Sequence, residues 1–235
     1  MKRHMKKNKL IIITGGAKGI GLAIAKKLIT EAVTVVITSR QFEFKSDELK
    51  INAINQQFLD VTETATIDKF FAWVLQQDYE LVGLINNAGI GVFKPFTDIS
   101  LTEFNSIIAT NLTGAFYCSQ LAFKIMAQAN GGRILNIGSI VELAGIKYNS
   151  AYAASKAGLK AMSLVINDEG IKDNISSTHV ALGAVYSNIW AERGQFKPEQ
   201  MLDIEHVANT ISYLINLPPS VRVDYIEITP NTKIL

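Results

Sequence analysis

The sequence predicts an α/β fold of the doubly wound type, a seven-stranded parallel sheet between two layers of helices. Three observations lead there. Short β-branched runs alternate with longer helical patterns along the whole chain. The strand-like runs are continuously apolar, as in "LIIIT" and "VTVVIT", the pattern of strands buried on both faces. A glycine-rich segment, "TGGAKGIG" at 14–21, separates the first of these runs from the first helical pattern.

In chain order, "LIIIT" places a strand at about 10–14, and "LAIAKKLI" carries the helical pattern that follows, over 19–31. A second strand is expected at 33–38 and a helix at 43–53, then a strand at 56–59 and a helix at 62–77. The fourth strand, 81–86, leads to a long helical pattern over 101–129, and the fifth, 132–138, to a helix over 150–168. Strands at 176–182 and 223–228 enclose a last helix at 204–216. No linker, repeat or low-complexity stretch divides the chain, so one domain over 1–235 is expected, with a basic, flexible terminus at 1–8. In such sheets ligands bind beyond the carboxyl ends of the strands.

Composition narrows the function classes. Hydrophobic residues make up 48% of the 235 and charged residues 19%, the balance of a well-buried globular protein. The formal net charge is only +2, which argues against a nucleic-acid surface. No apolar run reaches the ~18 residues that span a bilayer, and no signal-peptide core is recognisable, so no membrane association and a cytoplasmic location are expected. The single cysteine, Cys118, excludes an intramolecular disulfide and falls in the apolar stretch "FYCSQLAFKIM", where a small core residue is expected. No Cys/His cluster has metal spacing, and no metal is expected.

The glycine segment lies at the first strand-to-helix turn, where a doubly wound sheet holds a phosphate. Gly15 can take a turn conformation closed to other residues, while Gly19 and Gly21 allow backbone and helix to approach closely. The following helix then points free N–H groups and its positive end at an anion. The spacing is not that of a triphosphate-binding GxxxxGK(S/T) loop. Further along, "YAASK" sets Tyr152 and Lys156 four residues apart, on one face of a helix. Taken alone, such a pair is usually a solvated helix face. Ser139 ends the strand pattern "RILNIGS", at the carboxyl edge of the sheet.

Together these motifs resemble the short-chain dehydrogenase/reductase family, over residues from about 9 to 216. Thr14, Gly15, Gly19 and Gly21 match its TGxxxGxG signature, and "NNAG" at 86–89 matches the segment beside the adenosine. Asp60 and Val61 match its adenine-contacting pair. Asn111, Ser139, Tyr152 and Lys156 match its catalytic tetrad. The resemblance implies a Rossmann-type fold and a nicotinamide cofactor held by Gly15, Lys18, Gly19, Ile20, Gly21, Asn87, Ala88 and Gly89. It also implies contacts from Tyr152, Lys156, Gly183 and Ser187 around the nicotinamide and its ribose. In this scheme Tyr152 exchanges a proton with a carbonyl or alcohol substrate, and Ser139 donates to the substrate oxygen. Lys156 draws the tyrosine pKa toward working pH and holds the ribose, and Asn111 holds a water that feeds protons toward Lys156.

The second strand ends in "ITSRQ", with Ser39 in the position where NAD-preferring members carry an acid and Arg40 directly after it. A carboxylate there repels a 2′-phosphate, whereas an arginine fork binds one. With Lys18 at the same corner, NADP(H) is expected in preference to NAD(H). The chain departs from the family in Leu182, which stands where many members have proline before Gly183, and in Ser187, where a threonine is common. Residues 184–203 are expected to form the substrate loop. Ile90, Val92, Phe93, Val141, Glu142, Tyr148, Tyr186 and Trp190 are candidate pocket walls. His179 and His206 have no catalytic partner in this reading and are expected to be structural or surface residues. Apolar residues on the long helices, including Phe116, Phe123, Met126, Leu159 and Met162, lead to an expected homodimer or homotetramer. A second class of function stands beside the enzyme: a dinucleotide-binding sensor or scaffold without turnover.

Overall fold

The computed structural model describes residues 8–31, 33–41, 54–186 and 198–231. Its strands are β1 (Asn8–Thr14), β2 (Thr34–Ser39), β3 (Ile54–Phe58), β4 (Tyr79–Asn86), β5 (Gly132–Ile137), β6 (Ile175–Leu182) and β7 (Tyr225–Ile228). All pair in parallel, in the order β3-β2-β1-β4-β5-β6-β7. The chain winds outward from β1 to β3, then crosses back and winds outward again from β4 to β7. The winding reverses between β1 and β4, and there a crevice opens at the carboxyl edge. The helices are α1 (Gly19–Ile29), α2 (Thr64–Gln76), α3 (Leu101–Ile108), α4 (Gly114–Ala127), α5 (Val141–Ala144), α6 (Ser150–Gly170) and α7 (Ile204–Ile215). The helix expected over 43–53 lies outside the described residues, as do Ser187, Trp190 and most of the expected substrate loop.

The period-two alternation of strand side chains divides the core in two. Ile11 and Ile13 of β1, with Val35 and Ile37 of β2, pack beneath α1 and the apolar stripe Val207, Ala208, Ile211, Leu214 and Ile215 of α7. Leu10, Ile12 and Val36 face the other way, onto Ile67, Phe70, Phe71 and Val74 of α2 and Cys118, Ala122 and Met126 of α4. Each such fully buried aliphatic or aromatic side chain contributes about 1.5–3 kcal/mol.

The long helical pattern over 101–129 forms, but not as one α-helix. Between α3 and α4 the hydrogen bonds slip into a π-turn over Ala109–Thr113. A capping box starts the run, with Ser100 and Glu103 bonded to each other's backbone N–H. Gly114 opens α4 because a Cβ there would lie 2.4 Å from the carbonyl oxygen of Val61.

Two polar features cross the interior. On the α4 and α6 side, Asn86 donates to Asn136 Oδ1 and Ser119 Oγ, and Asn136 donates to Ser163 Oγ and Ser177 Oγ. Asn167 closes this ladder by bonding both main-chain groups of Ser177. At the opposite edge, the guanidinium of Arg133 on β5 is buried and donates to the carbonyls of Leu217, Pro218 and Val221, in the turn from α7 to β7. Burial lowers its pKa.

Candidate active site

The glycine segment is the turn between β1 and α1, at the point where the winding reverses. Gly15 and Gly19 both adopt left-handed backbone, with φ of 64° and 54°. A Cβ on Gly15 would also sit 2.9 Å from Ala88 Cα, and one on Gly21 would sit 2.5 Å from Asn87 Nδ2. Glycine is therefore demanded by conformation at Gly15 and Gly19 and by close packing at Gly15 and Gly21. The Thr14 hydroxyl accepts from the main-chain N–H groups of Asn87 and Ala88. Lys18 and Gly19 are exposed at the mouth of the turn, and Ile20 is half-buried against the core.

Beside this turn, Ala17, Lys18, Ser39, Arg40 and Gln41 line a cleft of about 420 Å³. Among the described residues no carboxylate lines it. Ser39 is occupied locally, its hydroxyl donating to Gln41 O and accepting from Gln41 N–H. Arg40 is largely exposed and its guanidinium lies 3.8 Å from Asp60 Oδ2. The other oxygen of Asp60 accepts from the Thr62 hydroxyl and N–H.

The four tetrad positions meet at the carboxyl ends of β4 and β5. Asn111 sits in the π-turn, buried, with its amide bonded to both main-chain groups of Ile90 and to Ser155 Oγ. The point that a Gly89 Cβ would fill is 3.4 Å from Asn111 Oδ1 and 3.7 Å from Lys156 Nζ. Gly89 thus lies between the two side chains. Both amide protons of Asn111 are spent on protein acceptors, so any water it holds must be held by its oxygen.

Lys156 is buried and donates to the carbonyl of Ile137 at 2.7 Å, and its Nζ lies 5.5 Å from the centroid of the Tyr152 ring. Burial lowers its pKa to about 8, against an opposing pull from Glu142. The Tyr152 hydroxyl shares a hydrogen bond with Ser139, and Phe93 meets the ring edge-on at 5.9 Å. Burial pushes the Tyr152 pKa up to about 12; the Ser139 bond works against this and the charge of Glu142 adds to it. In this environment burial, not a neighbouring charge, is the largest influence on the Tyr152 hydroxyl.

Three further residues named from the sequence have defined surroundings. Val61 turns its side chain into the core beside α4, leaving Asp60 as the member of that pair at the surface. Gly183 does not point its missing side chain at the crevice, because a Cβ there would meet Pro230 Cδ at 2.9 Å, where the chain leaves β7. Glu142 is no pocket wall: its side chain is fully buried and bonded to His179, which is fully buried too. His179 is therefore structural in placement but not without a partner near the site. Ile90, Val92, Phe93, Tyr148 and Tyr186 remain half-buried or exposed, as a rim requires. Tyr148 has φ of 68°, rare for so large a residue, and its carbonyl accepts from the N–H of Lys94.

The family model for short chain dehydrogenases matches residues 9–198. The chain belongs to the short-chain dehydrogenase/reductase family. It is therefore an oxidoreductase of Rossmann-type architecture. An uncharacterized oxidoreductase of Staphylococcus epidermidis is 26% identical over 232 residues, covering 95% of this chain and 98% of that protein. The 3-oxoacyl-acyl-carrier-protein reductase MabA of Mycobacterium avium is 36% identical over 177 residues, 74% of this chain and 66% of the reductase. Among solved structures, that of ElxO with NADP bound is 29% identical, with a TM-score of 0.86, and covers 96% of this chain and 97% of the other. In this short-chain dehydrogenase the buried Glu142–His179 pair escaped sequence reasoning. A glutamate at the end of an apolar run, "GSIVE", and a histidine inside one, "STHVAL", were the only signals.

Proposed function

We propose that the protein is a cytoplasmic NADP(H)-dependent oxidoreductase acting on small carbonyl or alcohol compounds, with Tyr152 as the group that gives or takes the proton. The observation that carries this reading is the convergence of Ser139, Tyr152 and Lys156 at the edge of the crevice that begins at the glycine turn. The left-handed glycines leave space above β1 for a pyrophosphate, and the cationic cleft of Lys18 and Arg40 suits a 2′-phosphate. The likeness to an NADP-bound relative supports the same choice. NADPH, when bound, supplies the hydride to the carbonyl carbon.

The chain's own residues do the rest. Ser139 and Tyr152 hold the carbonyl oxygen between two hydroxyls, polarising it. As charge develops on that oxygen, Tyr152 releases its proton to it, and the Lys156 ammonium stabilises the phenolate left behind. The high pKa of Tyr152 keeps the proton in place until the oxygen becomes basic enough to take it. Lys156 is placed to reach the ribose hydroxyls with the donors that Ile137 does not use, and Asn111 to relay protons past Gly89. Phe93, Leu143, Tyr148 and Tyr186 give the exposed rim an apolar character, which fits a substrate with a hydrophobic portion.

A homodimer or homotetramer belongs to this reading, on Phe116 of the residues first expected and on two others beside it. Met126 and Leu159 are core residues, whereas Phe116 on α4 and Leu164 and Val165 on α6 are exposed. The test of the function is an NADPH-oxidation screen over aldehydes, diketones, β-keto esters, acyl thioesters and sugars. Turnover in one class is expected. Tight NADPH binding with no turnover across the panel would replace the enzyme with the sensor.

A further inference from the structure

Behind Ser139 and Tyr152 lies a buried acid–base pair. His179 Nε2 is 2.8 Å from each oxygen of the Glu142 carboxylate, and neither side chain reaches solvent. The carboxylate also faces the main-chain N–H of Ser139, 3.4 Å from Oε2. Gly138 makes the contact possible, since a Cβ there would stand 2.2 Å from His179 Nε2. Glu142 comes from the single-turn helix α5 and His179 from the middle of β6, so the pair ties the segment carrying Ser139 to the sheet.

The protonation state follows from the geometry. Nε2 faces two acceptors, so the ring carries a proton there. Nδ1 has no hydrogen-bond partner among the described residues. A second proton on Nδ1 would create a buried donor with nothing to receive it, which is costlier than leaving a lone pair idle. The imidazole is accordingly neutral and the carboxylate keeps its charge, so the pair holds one negative charge in the interior. A buried charge of this kind requires a counter-charge. Among the described residues, the ionisable groups around it are Tyr152 and Lys156 of α6 and Tyr225 of β7, whose ring stacks on His179 at 6.0 Å. Lys160 sits 4.2 Å from the Tyr225 ring centroid, and Asp224 is paired with Arg222. Lys156 is the buried cation of this group.

We propose that Glu142, held by His179, is a positioning residue for the reaction: its buried carboxylate keeps Lys156 an ammonium and Tyr152 a phenol, while His179 keeps the carboxylate charged. The proposal rests on the roles given above to Tyr152 and Lys156. Glu142 touches neither substrate nor cofactor in this scheme. It acts by charge on Lys156 and Tyr152, and by contact on the backbone of Ser139. A merely structural pair would hold the segment together without setting these charge states.

Two tests need no turnover. In protein labelled with 15N-histidine, His179 is expected as the neutral Nε2–H tautomer at neutral pH. An imidazolium at neutral pH would make the pair uncharged and overturn the proposal, and this measurement needs no variant to fold. In protein labelled with 13C-lysine, with the signal identified by its loss in Lys156→Ala, the Lys156 midpoint is expected to move down from about 8 in Glu142→Gln. His179→Gln, which still offers an N–H to the carboxylate, should leave that midpoint near its original place. A midpoint unmoved in Glu142→Gln would reduce the pair to packing. Once a substrate is in hand, the alkaline limb of kcat/KM for reduction should shift to lower pH in Glu142→Gln and return in Glu142→Asp. If the midpoint moves but no substrate turns over, the electrostatic coupling stands and the enzymatic reading falls.

Discussion

Asn87 fastens the glycine turn to the fourth strand: its side-chain nitrogen donates to the carbonyl oxygens of both Thr14 and Gly15, each at 3.0 Å. With Thr14 bonded back to Asn87 and Ala88, the two walls of the crevice are held to each other at its floor. Four hydrogen bonds thus fix the turn to the segment that follows the fourth strand. Replacing Asn87 with Ala removes two hydrogen bonds, each worth about 1 kcal/mol, and leaves two carbonyls to find other donors. A stability loss of about 2 kcal/mol is expected in urea unfolding, with weaker NADPH binding by fluorescence titration. Unchanged values in both would show that the turn is held by its glycines alone.

Tyr152→Phe is expected to lower turnover by 10²–10⁴-fold while NADPH binding and melting temperature stay near their original values. The change removes the hydroxyl and keeps the ring that Phe93 packs against. More than about a tenth of the activity remaining would be incompatible with a general acid of this worth.

On the function proposed above, cofactor preference is expected to depend on the corner occupied by Arg40. Arg40→Ala should lower kcat/KM with NADPH relative to NADH by about tenfold, the lower end for a charge-assisted contact of ~1.5–3 kcal/mol. The lower end is expected because the side chain is largely exposed and salt screens it, and because Asp60 already shares its charge. Ser39→Asp combined with Arg40→Ala should turn the preference toward NADH. A cofactor ratio that does not move in Arg40→Ala would leave Lys18 as the sole support for the 2′-phosphate.

The buried lysine sets a pH limit. Because burial lowers the Lys156 pKa to about 8, the ammonium is present below that pH and lost above it. The rate of carbonyl reduction is therefore expected to fall as pH rises through about 8, in a kcat/KM profile at saturating NADPH. Stability responds with the opposite sign. Between about 8 and the ordinary lysine pKa, the unfolded chain holds a proton that the fold has released. This group's contribution to stability therefore rises with pH across that window.

Cys118 is fully buried in the α2 and α4 layer, and burial raises its thiol pKa to about 12. Neither access nor thiolate is available at neutral pH. An aromatic disulfide reagent should release no chromophore from the native protein at pH 8 and one equivalent after denaturation. Rapid reaction in the native state would mean that α4 opens locally.

Much of the architecture was readable in advance because strands buried on both faces advertise themselves. "LIIIT" and "VTVVIT" became β1 and β2 with shifts of a residue or two at their ends. The glycine turn and the Tyr152–Lys156 spacing were readable for the same reason: each depends on neighbours a few positions apart. What could not be read depends on the third dimension. Glu142 and His179 are 37 residues apart and meet only because Gly138 leaves room. Met126 and Leu159 look like interface residues by helical periodicity, but periodicity does not say whether the sheet or another copy covers the stripe. Nor does any local pattern in "ATNLT" announce a π-turn. Spacing reveals the cation four residues from Tyr152 but not the burial that raises the pKa of its hydroxyl.

Arg133 gives the chain a particular order of completion. Its guanidinium, at the start of a central strand, finds its acceptors 84, 85 and 88 residues later, at Leu217, Pro218 and Val221. On a translating ribosome, at roughly 5–20 residues per second, β5 would wait several seconds for those carbonyls to be made. Until then the guanidinium has none of these carbonyls to donate to, and burying it unpaired is unfavourable. The late turn acts as a latch on an early strand, which couples folding of the sheet's centre to the arrival of a segment far down the chain.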